Sequence, residues 1–148
     1  VMLEHKNLMN LIEYITQDRG LTPDDITAEF ASFCFDASVI DLFAPLTAGA
    51  ILYILPEGIR KDAIAISKYI KEAGITTATF PTQMGELVAE LLEDAPALRF
   101  VTLGGEKFKH YRNRTYQMIN GYGPTENTVS STDCSTLLNP IRWIVSTS

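Results

Sequence analysis

The sequence is short of the features that tie a chain to a membrane, a metal cluster or a disulfide framework. It has two cysteines, Cys34 and Cys134, far apart and in no Cys-x-x-Cys pattern. That reads as free thiols in a reducing cytoplasm and speaks against structural zinc. No apolar run is long enough to cross a bilayer, and the first residues lack the layout of a secretory signal. Positive charge is in deficit, with 12 Lys and Arg against 18 Asp and Glu and a net charge of -6. This argues against nucleic acid and anionic membrane as main partners. Repeats, low-complexity tracts and linkers are all lacking. What remains is an ordinary globular balance, 46% hydrophobic and 20% charged, in 148 residues. That suits one compact domain with a sizeable core.

Hydrophobic periodicity supplies the elements. Leu8, Leu11, Ile12 and Ile15 form one stripe of a helix over 4–16, stopped at Arg19-Gly20. The extended run 26–35 predicts a strand. Asp36-Ala37-Ser38 opens a second helix with Val39, Leu42, Phe43 and Leu46 inward; Pro45 lies inside it and Gly49 closes it. The run 50–55 is continuously apolar, the pattern of a strand covered on both faces. A third helix spans 62–73, with Ala63, Ile66, Ile70 and Ala73 inward and Gly74 just past its end. Strand 75–80 follows. A helix then runs from Pro81 to near Pro96, with Met84, Leu87, Val88, Leu91 and Leu92 as its stripe. Strands are expected at 100–103, 116–119 and 129–132, with a weak one in 137–145. The basic stretch 107–114 reads as a solvated connection with one or two helical turns. Alternating strands and helices imply a single three-layer α/β/α domain with a mainly parallel sheet.

Three short motifs sit at strand ends. Asn120-Gly121-Tyr122-Gly123-Pro124-Thr125-Glu126 joins a flexible turn to an aromatic, a hydroxyl and a carboxylate. A glycine-rich turn after a strand is where open α/β sheets place ligands, although a plain surface turn has the same local look. Phe35-Asp36-Ala37-Ser38 has Asp36 where a helix cap belongs. Gly104-Gly105-Glu106 is a strand-end turn by itself. His5 and His110 read as surface or buffering groups.

Taken together and in this order, these motifs resemble those of the adenylate-forming enzymes, most closely the amino-acid adenylation domains of nonribosomal peptide synthetases. The likeness runs from about 1 to 133; the tail 134–148 matches poorly. The resemblance implies an AMP-binding ligase that activates an amino acid with Mg-ATP and passes it to a phosphopantetheine thiol. Asp36 would then hold the substrate ammonium, a role relatives for fatty or aryl acids do not need. A buried ammonium requires a paired anion. Phe35 would lie near the substrate carboxylate, or else pack in the core. Gly104, Gly105 and Glu106 would line the adenine site, and Asn120 and Gly123 would shape the nucleotide loop. Tyr122 would stack on adenine, Thr125 would contact phosphate, and Glu126 would help hold Mg2+.

Carried over by position, the substrate pocket would be lined by Asp36, Ala37, Ile40, Gln83, Val101, Leu103, Gly121, Val129 and Ser130. Apart from Asp36 that lining is uncharged, which implies a neutral amino acid of small to medium size. Leu103 would shorten the pocket. Gln83 and Ser130 would offer hydrogen bonds to a polar tip. His5 falls where the family often has a histidine. The implied partners are a peptidyl carrier protein and neighbouring synthetase domains, in the cytoplasm. The family's phosphate loop with its lysine, its ribose-binding aspartate and its C-terminal lysine are not found in the 148 residues. The fragment alone is therefore expected to be nearly inactive. Two other readings are an acyl- or aryl-acid ligase core and a non-catalytic nucleotide-binding or interaction module.

Overall fold

The computed structural model describes residues 1–107, 109, 114–135 and 142–143, the last strand pairs 134–135 and 142–143 by backbone alone. Four helices, α1 (His5–Arg19), α2 (Ala37–Ala48), α3 (Ala63–Ala73) and α4 (Thr82–Leu91), alternate with strands. The strands are β1 (Ile26–Glu29), β2 (Ile51–Ile54), β3 (Thr77–Pro81), β4 (Phe100–Gly104), β5 (Gln117–Tyr122), β6 (Thr132–Ser135) and β7 (Arg142–Trp143). They form one sheet in the order β2-β1-β3-β4-β5-β6-β7. The first five run parallel, while β6 and β7 are antiparallel to their neighbours. This is the expected three-layer, mainly parallel architecture. No helix among the described residues is long and apolar enough to cross a membrane.

The helix stops follow local chemistry. Gly20, Gly49 and Gly74 each take a left-handed conformation after α1, α2 and α3. Asp62 starts α3 by accepting the amide protons of Ile64 and Ala65 at 2.9 and 3.1 Å. Gly85 lets α4 settle on β4, since a Cβ there would fall 2.0 Å from Leu103 Cδ2.

The main core lies between the sheet and α3 and α4. Ile66, Ile70, Val88 and Leu92 meet Ala28, Ala78, Phe80, Val101, Leu103 and Met118 there. The side under α1 and α2 has a smaller cluster, built on Leu11, Ile15 and Ala44. Strand alternation turns Thr27, Glu29, Thr77, Thr79 and Thr102 towards that second side. One face of the sheet is therefore apolar and the other strongly polar.

That polarity accounts for several departures from periodicity. Half of the stripe expected of α2 faces outward: Phe43 and Leu46 are exposed and Val39 and Leu42 only half-buried, whereas Ser38, Asp41, Ala44 and Pro45 are buried. Asp41 is turned inward because its carboxylate accepts the amide protons of Phe30 and Ala31 at 3.4 and 3.3 Å. Those bonds also end β1 at Glu29, not near residue 35, by taking backbone donors out of the ladder. In α4, Leu87 and Leu91 are exposed, and Gly85 and Ala89 take the buried positions. The run 50–55 forms not a covered strand but the sheet edge. Ile51, Tyr53 and Ile54 are exposed, with no neighbouring strand on β2's outer side among the described residues. Thr128 and Val129 have φ of 55° and 69°, which delays the sixth strand to Thr132. Most of the basic stretch 107–114, including His110, and most of 137–145 lie outside the described residues.

Charged side chains buckle the elements together. Arg99, opening β4, grips both oxygens of Asp25 at 2.7 Å and donates to the carbonyls of Arg19 and Gly20. Burial pulls the Asp25 carboxyl up, but Thr76, Arg99 and the Thr22 amide outweigh it and hold it below the ordinary carboxylate value. Arg60 binds Glu29 at 2.9 Å and the Phe30 carbonyl, clamping the end of β1.

Candidate functional site

The chain leaves β1 through α2 towards the β2 edge and returns to β3 through α3. Strand order thus reverses between β1 and β3. Loops after neighbouring strands diverge at such a point and open a crevice at the carboxyl ends. The candidate site lies along that end of the sheet. The loop after β1 carries Phe35 and Asp36, the turn after β4 carries Gly104–Glu106, and β5 runs out into Tyr122, Gly123 and Thr125.

The two strongest motifs touch. The Thr125 hydroxyl donates to Oδ2 of Asp36, across 89 positions of sequence. Asp36 sits at the start of α2 but makes no side-chain cap bond to it. Its carboxylate is spoken for across the sheet end, not along its own helix. Phe35 is 68% exposed, so it projects from the site loop and is not a core residue.

A second tie joins the start of α4 to the glycine turn. The Thr82 hydroxyl lies 3.1 Å from the Gly104 carbonyl and 3.0 Å from that of Glu106, and it accepts the Glu106 amide at 3.3 Å. Gln83 donates to the Glu106 carboxylate at 3.3 Å. Gly104 and Gly105 leave open space beside the sheet end: a Cβ on Gly105 would meet nothing within 4 Å, and one on Gly104 only the Gly121 carbonyl. Tyr122, which follows the Gly121 paired with Gly104, is 64% exposed. Asn120 has a buried Oδ1 with no hydrogen-bond partner among the described residues.

Gly123 is compulsory. A Cβ there would lie 2.6 Å from Ser130 Cα, Ser131 N and the Val129 carbonyl. The loop 128–131 folds back onto this glycine, sealed by the Ser131 amide to the Tyr122 carbonyl at 2.8 Å. The fold-back brings Val129 into the cluster that also holds Ile40 and buries Ser130.

The expected pocket residues do not all face one way. Ile40 and Val129 both pack against the small cluster on the α1/α2 side, and Gly121 faces that side too, 3.6 Å from Thr102 Cγ2 by its Cβ direction. Ala37 is half-buried at the start of α2, while Gln83 is exposed. Val101 and Leu103 point the opposite way, fully buried against α3 and α4. The alternating neighbours Thr102 and Gly104 share the face of Gly121. A one-residue slip on a strand reverses the face, so carry-over by position is most fragile there.

Sequence reasoning missed the buried charges. Asp41 is pushed up to about 7, mainly by burial and also by Glu29, against hydrogen bonds from Thr79, Ala31 and Phe30. Asp133 on β6 pairs with Arg19 at 2.6 Å, and Arg19 also holds Asp18 at 2.7 Å. A lone acid in an otherwise uncharged helix, as at Asp41, is the available signal. Among the described residues no group of three His, Cys, Asp or Glu side chains gathers to hold a metal. A divalent ion here would rely on Glu126, exposed on the short 3-10 turn Thr125–Asn127, plus ligand oxygens.

Similarity to known proteins identifies the family. The model of the AMP-binding enzyme family matches residues 1–144. The chain belongs to that family, whose members are adenylate-forming enzymes. Over 132 residues it is 39% identical to surfactin synthase subunit 2 of Bacillus subtilis, covering 89% of this chain and 4% of that protein. Tyrocidine synthase 2 of Brevibacillus parabrevis is also 39% identical, over 140 residues and again 4% of its length. In fold the chain is similar to the Vibrio cholerae adenylation domain AlmE, solved with glycyl-adenosine-5'-phosphate. The TM-score is 0.82 at 24% identity, over 97% of this chain and 30% of that one. The nonribosomal peptide synthetase FmoA3, in its AMPPNP-bound form, gives 0.84 at 22% identity, over 95% of this chain and 16% of that one.

Proposed function

We propose that this chain is the pocket-bearing core of an adenylation domain that activates a neutral amino acid. The observation that carries the reading is the contact of Thr125 with Asp36. It places the carboxylate proposed for the substrate ammonium beside the hydroxyl proposed for the phosphates. A bound amino acid would then have its carboxylate directed at the nucleotide, which is the positioning that the reaction requires. Family membership and the adenylation-domain fold support the same reading.

The residues fit an ATP and a hard cation. The open space beside Gly104 and Gly105, the exposed Tyr122 ring and the unpartnered Asn120 Oδ1 suit a flat base with amino and ring groups. Thr125 and Glu126 offer hydroxyl and carboxylate oxygens. The lining proposed for the amino-acid side chain is Ala37, Ile40, Gln83, Gly121, Val129 and Ser130, with Thr102 and Gly104 in place of Val101 and Leu103.

In the proposed reaction the amino-acid carboxylate attacks the α-phosphorus of ATP. Pyrophosphate leaves and an aminoacyl-adenylate forms. A phosphopantetheine thiol of a carrier protein then takes the acyl group and AMP departs. Asp36 holds the ammonium; Thr125, with one hydroxyl hydrogen to give, orients Asp36 before ATP binds and turns to phosphate afterwards; Glu126 would hold the metal. A bound Mg2+ would neutralise phosphate charge. On the same reading, these 148 residues by themselves are expected to be nearly inactive.

The test is amino-acid-dependent ATP–pyrophosphate exchange, with the whole chain placed in an adenylation-domain host that supplies the remaining parts. Exchange with one or a few amino acids, lost in Asp36→Ala, supports the reading. Exchange that persists in Asp36→Ala, driven by fatty or aryl acids, points to an acyl-acid ligase. A folded chimera that exchanges nothing beside an active host overturns the catalytic reading and leaves the binding-module one.

A further inference from the structure

A buried charged pair lies beneath Gly121, outside the lining just described. Asp133 stands opposite Gly121 on the neighbouring strand and is 6% exposed. Its Oδ2 accepts from Arg19 Nη2 at 2.6 Å. Arg19, the last residue of α1, is itself pinned between Asp133 and Asp18, with its guanidinium 6.0 Å from the Phe100 ring centroid. The other oxygen, Oδ1, has no hydrogen bond among the described residues and is not one of the polar atoms sealed away unpartnered. It is directed at Gly121, because a Cβ on that glycine would come within 3.1 Å of it. Thr102 Cγ2 stands 3.6 Å from the same point. Gly121 thus leaves a narrow space, closely bounded by a carboxylate oxygen and a threonine methyl. It is on the α1/α2 side, where Ile40 and Val129 pack.

We propose that Asp133, held in place by Arg19, is a specificity-determining residue whose Oδ1 accepts a hydrogen bond from a neutral donor at the tip of the substrate side chain, a hydroxyl or a carboxamide. This rests on the pocket reading above and adds to it the substrate class. The argument is one of satisfaction. Arg19 compensates the charge of Asp133 and occupies one oxygen, leaving one acceptor without a partner. An apolar side chain filling the space would cover that acceptor and leave it unpaired, which is costly in a closed site. A hydroxyl or amide N–H of the same shape would satisfy it. An ammonium or guanidinium tip is disfavoured, because it would have to settle beside Arg19, a like charge already in possession of the carboxylate. Sites built to hydrogen-bond a substrate group reject the isostere that lacks it far more strongly than apolar pockets reject a size change.

Isosteric pairs in the chimera test this directly: threonine against valine, and asparagine against leucine. For at least one pair the donor-bearing amino acid is expected to win by roughly 100-fold or more in kcat/KM. In Asp133→Leu that ratio should fall to within about tenfold of unity, while Asp133→Asn, which keeps an acceptor oxygen, should retain most of it. A wild-type chimera that prefers valine and leucine over their partners overturns the proposal without any variant. So does a ratio that survives Asp133→Leu. If that variant fails to fold, the wild-type ratio and Asp133→Asn decide. A folded wild-type chimera inactive with every amino acid overturns the adenylation reading itself and this proposal with it, an outcome distinct from activity of the wrong preference.

Discussion

Thr125 donates its hydroxyl hydrogen to Asp36, joining the loop after β5 to the loop after β1. Two side chains assigned to different ligands are therefore one unit. In Thr125→Val the carboxylate loses its donor and its fixed orientation. The amino-acid KM in the chimera is expected to rise by about 5–30-fold, equivalent to about 1–2 kcal/mol, with ATP affinity weakened as well. Pyrophosphate-exchange kinetics with each substrate varied in turn will show it. A variant changed in its ATP KM alone would mean that the contact has no part in holding the amino acid.

Gly123 has backbone atoms of residues 129–131 where a side chain would go. Backbone cannot rotate away as a side-chain tip can. Gly123→Ala is expected to destabilise the chain by about 2–4 kcal/mol and to displace the loop carrying Val129 and Ser130. Thermal melting measures the first effect and loss of exchange in the chimera the second. A melting temperature within a degree of wild type would contradict the packing described.

Asp41 gives the stability a definite pH dependence. Burial raises its folded value to about 7 from 3.8. The folded chain then binds this proton more tightly than the unfolded chain does. Its contribution is greatest below about pH 4, declines as pH rises, and is lost above about pH 7. Asp41→Asn keeps an acceptor for the Phe30 and Ala31 amides and cannot ionise. It is expected to be more stable than wild type at pH 8, by on the order of 1–3 kcal/mol, and to lose that advantage towards pH 4. Urea denaturation across this range reads the difference. Parallel curves for the two proteins would rule the assignment out.

The β2 edge is open and apolar, with Ile51, Tyr53 and Ile54 exposed. An unpaired edge of this kind invites strand-to-strand association. Ile54→Lys is expected to reduce concentration-dependent self-association of the 148-residue chain in light scattering. Because Ile54 is already 56% exposed, its melting temperature should change little.

Several features were legible from residue order alone. Alternating periodicities announced a parallel α/β sheet, glycines marked three helix ends, and the motif order pointed to adenylate formation. Strand alternation is strictly two-residue, so local pattern identifies that a strand exists without saying which face meets the ligand. Carry-over by position therefore puts Val101 and Leu103 in the pocket, although they pack against α4 and their neighbours Thr102 and Gly104 share the side of Gly121. Apolar stripes misled in α2 for a related reason. A helix resting on a polar sheet face turns its acid inward when that acid has backbone donors to satisfy, as Asp41 does.

By itself, the sequence determined the elements, their order and the chemical types at the strand ends, because these depend on nearest neighbours along the chain. Tertiary structure decided which strand became the edge, which face became the core and which distant groups met. Arg19 and Asp133 are separated by 114 positions, and Asp36 and Thr125 by 89. No local propensity couples residues so far apart. Their meeting depends on the strand order β2-β1-β3-β4-β5-β6, and so on how the whole sheet buries its surface.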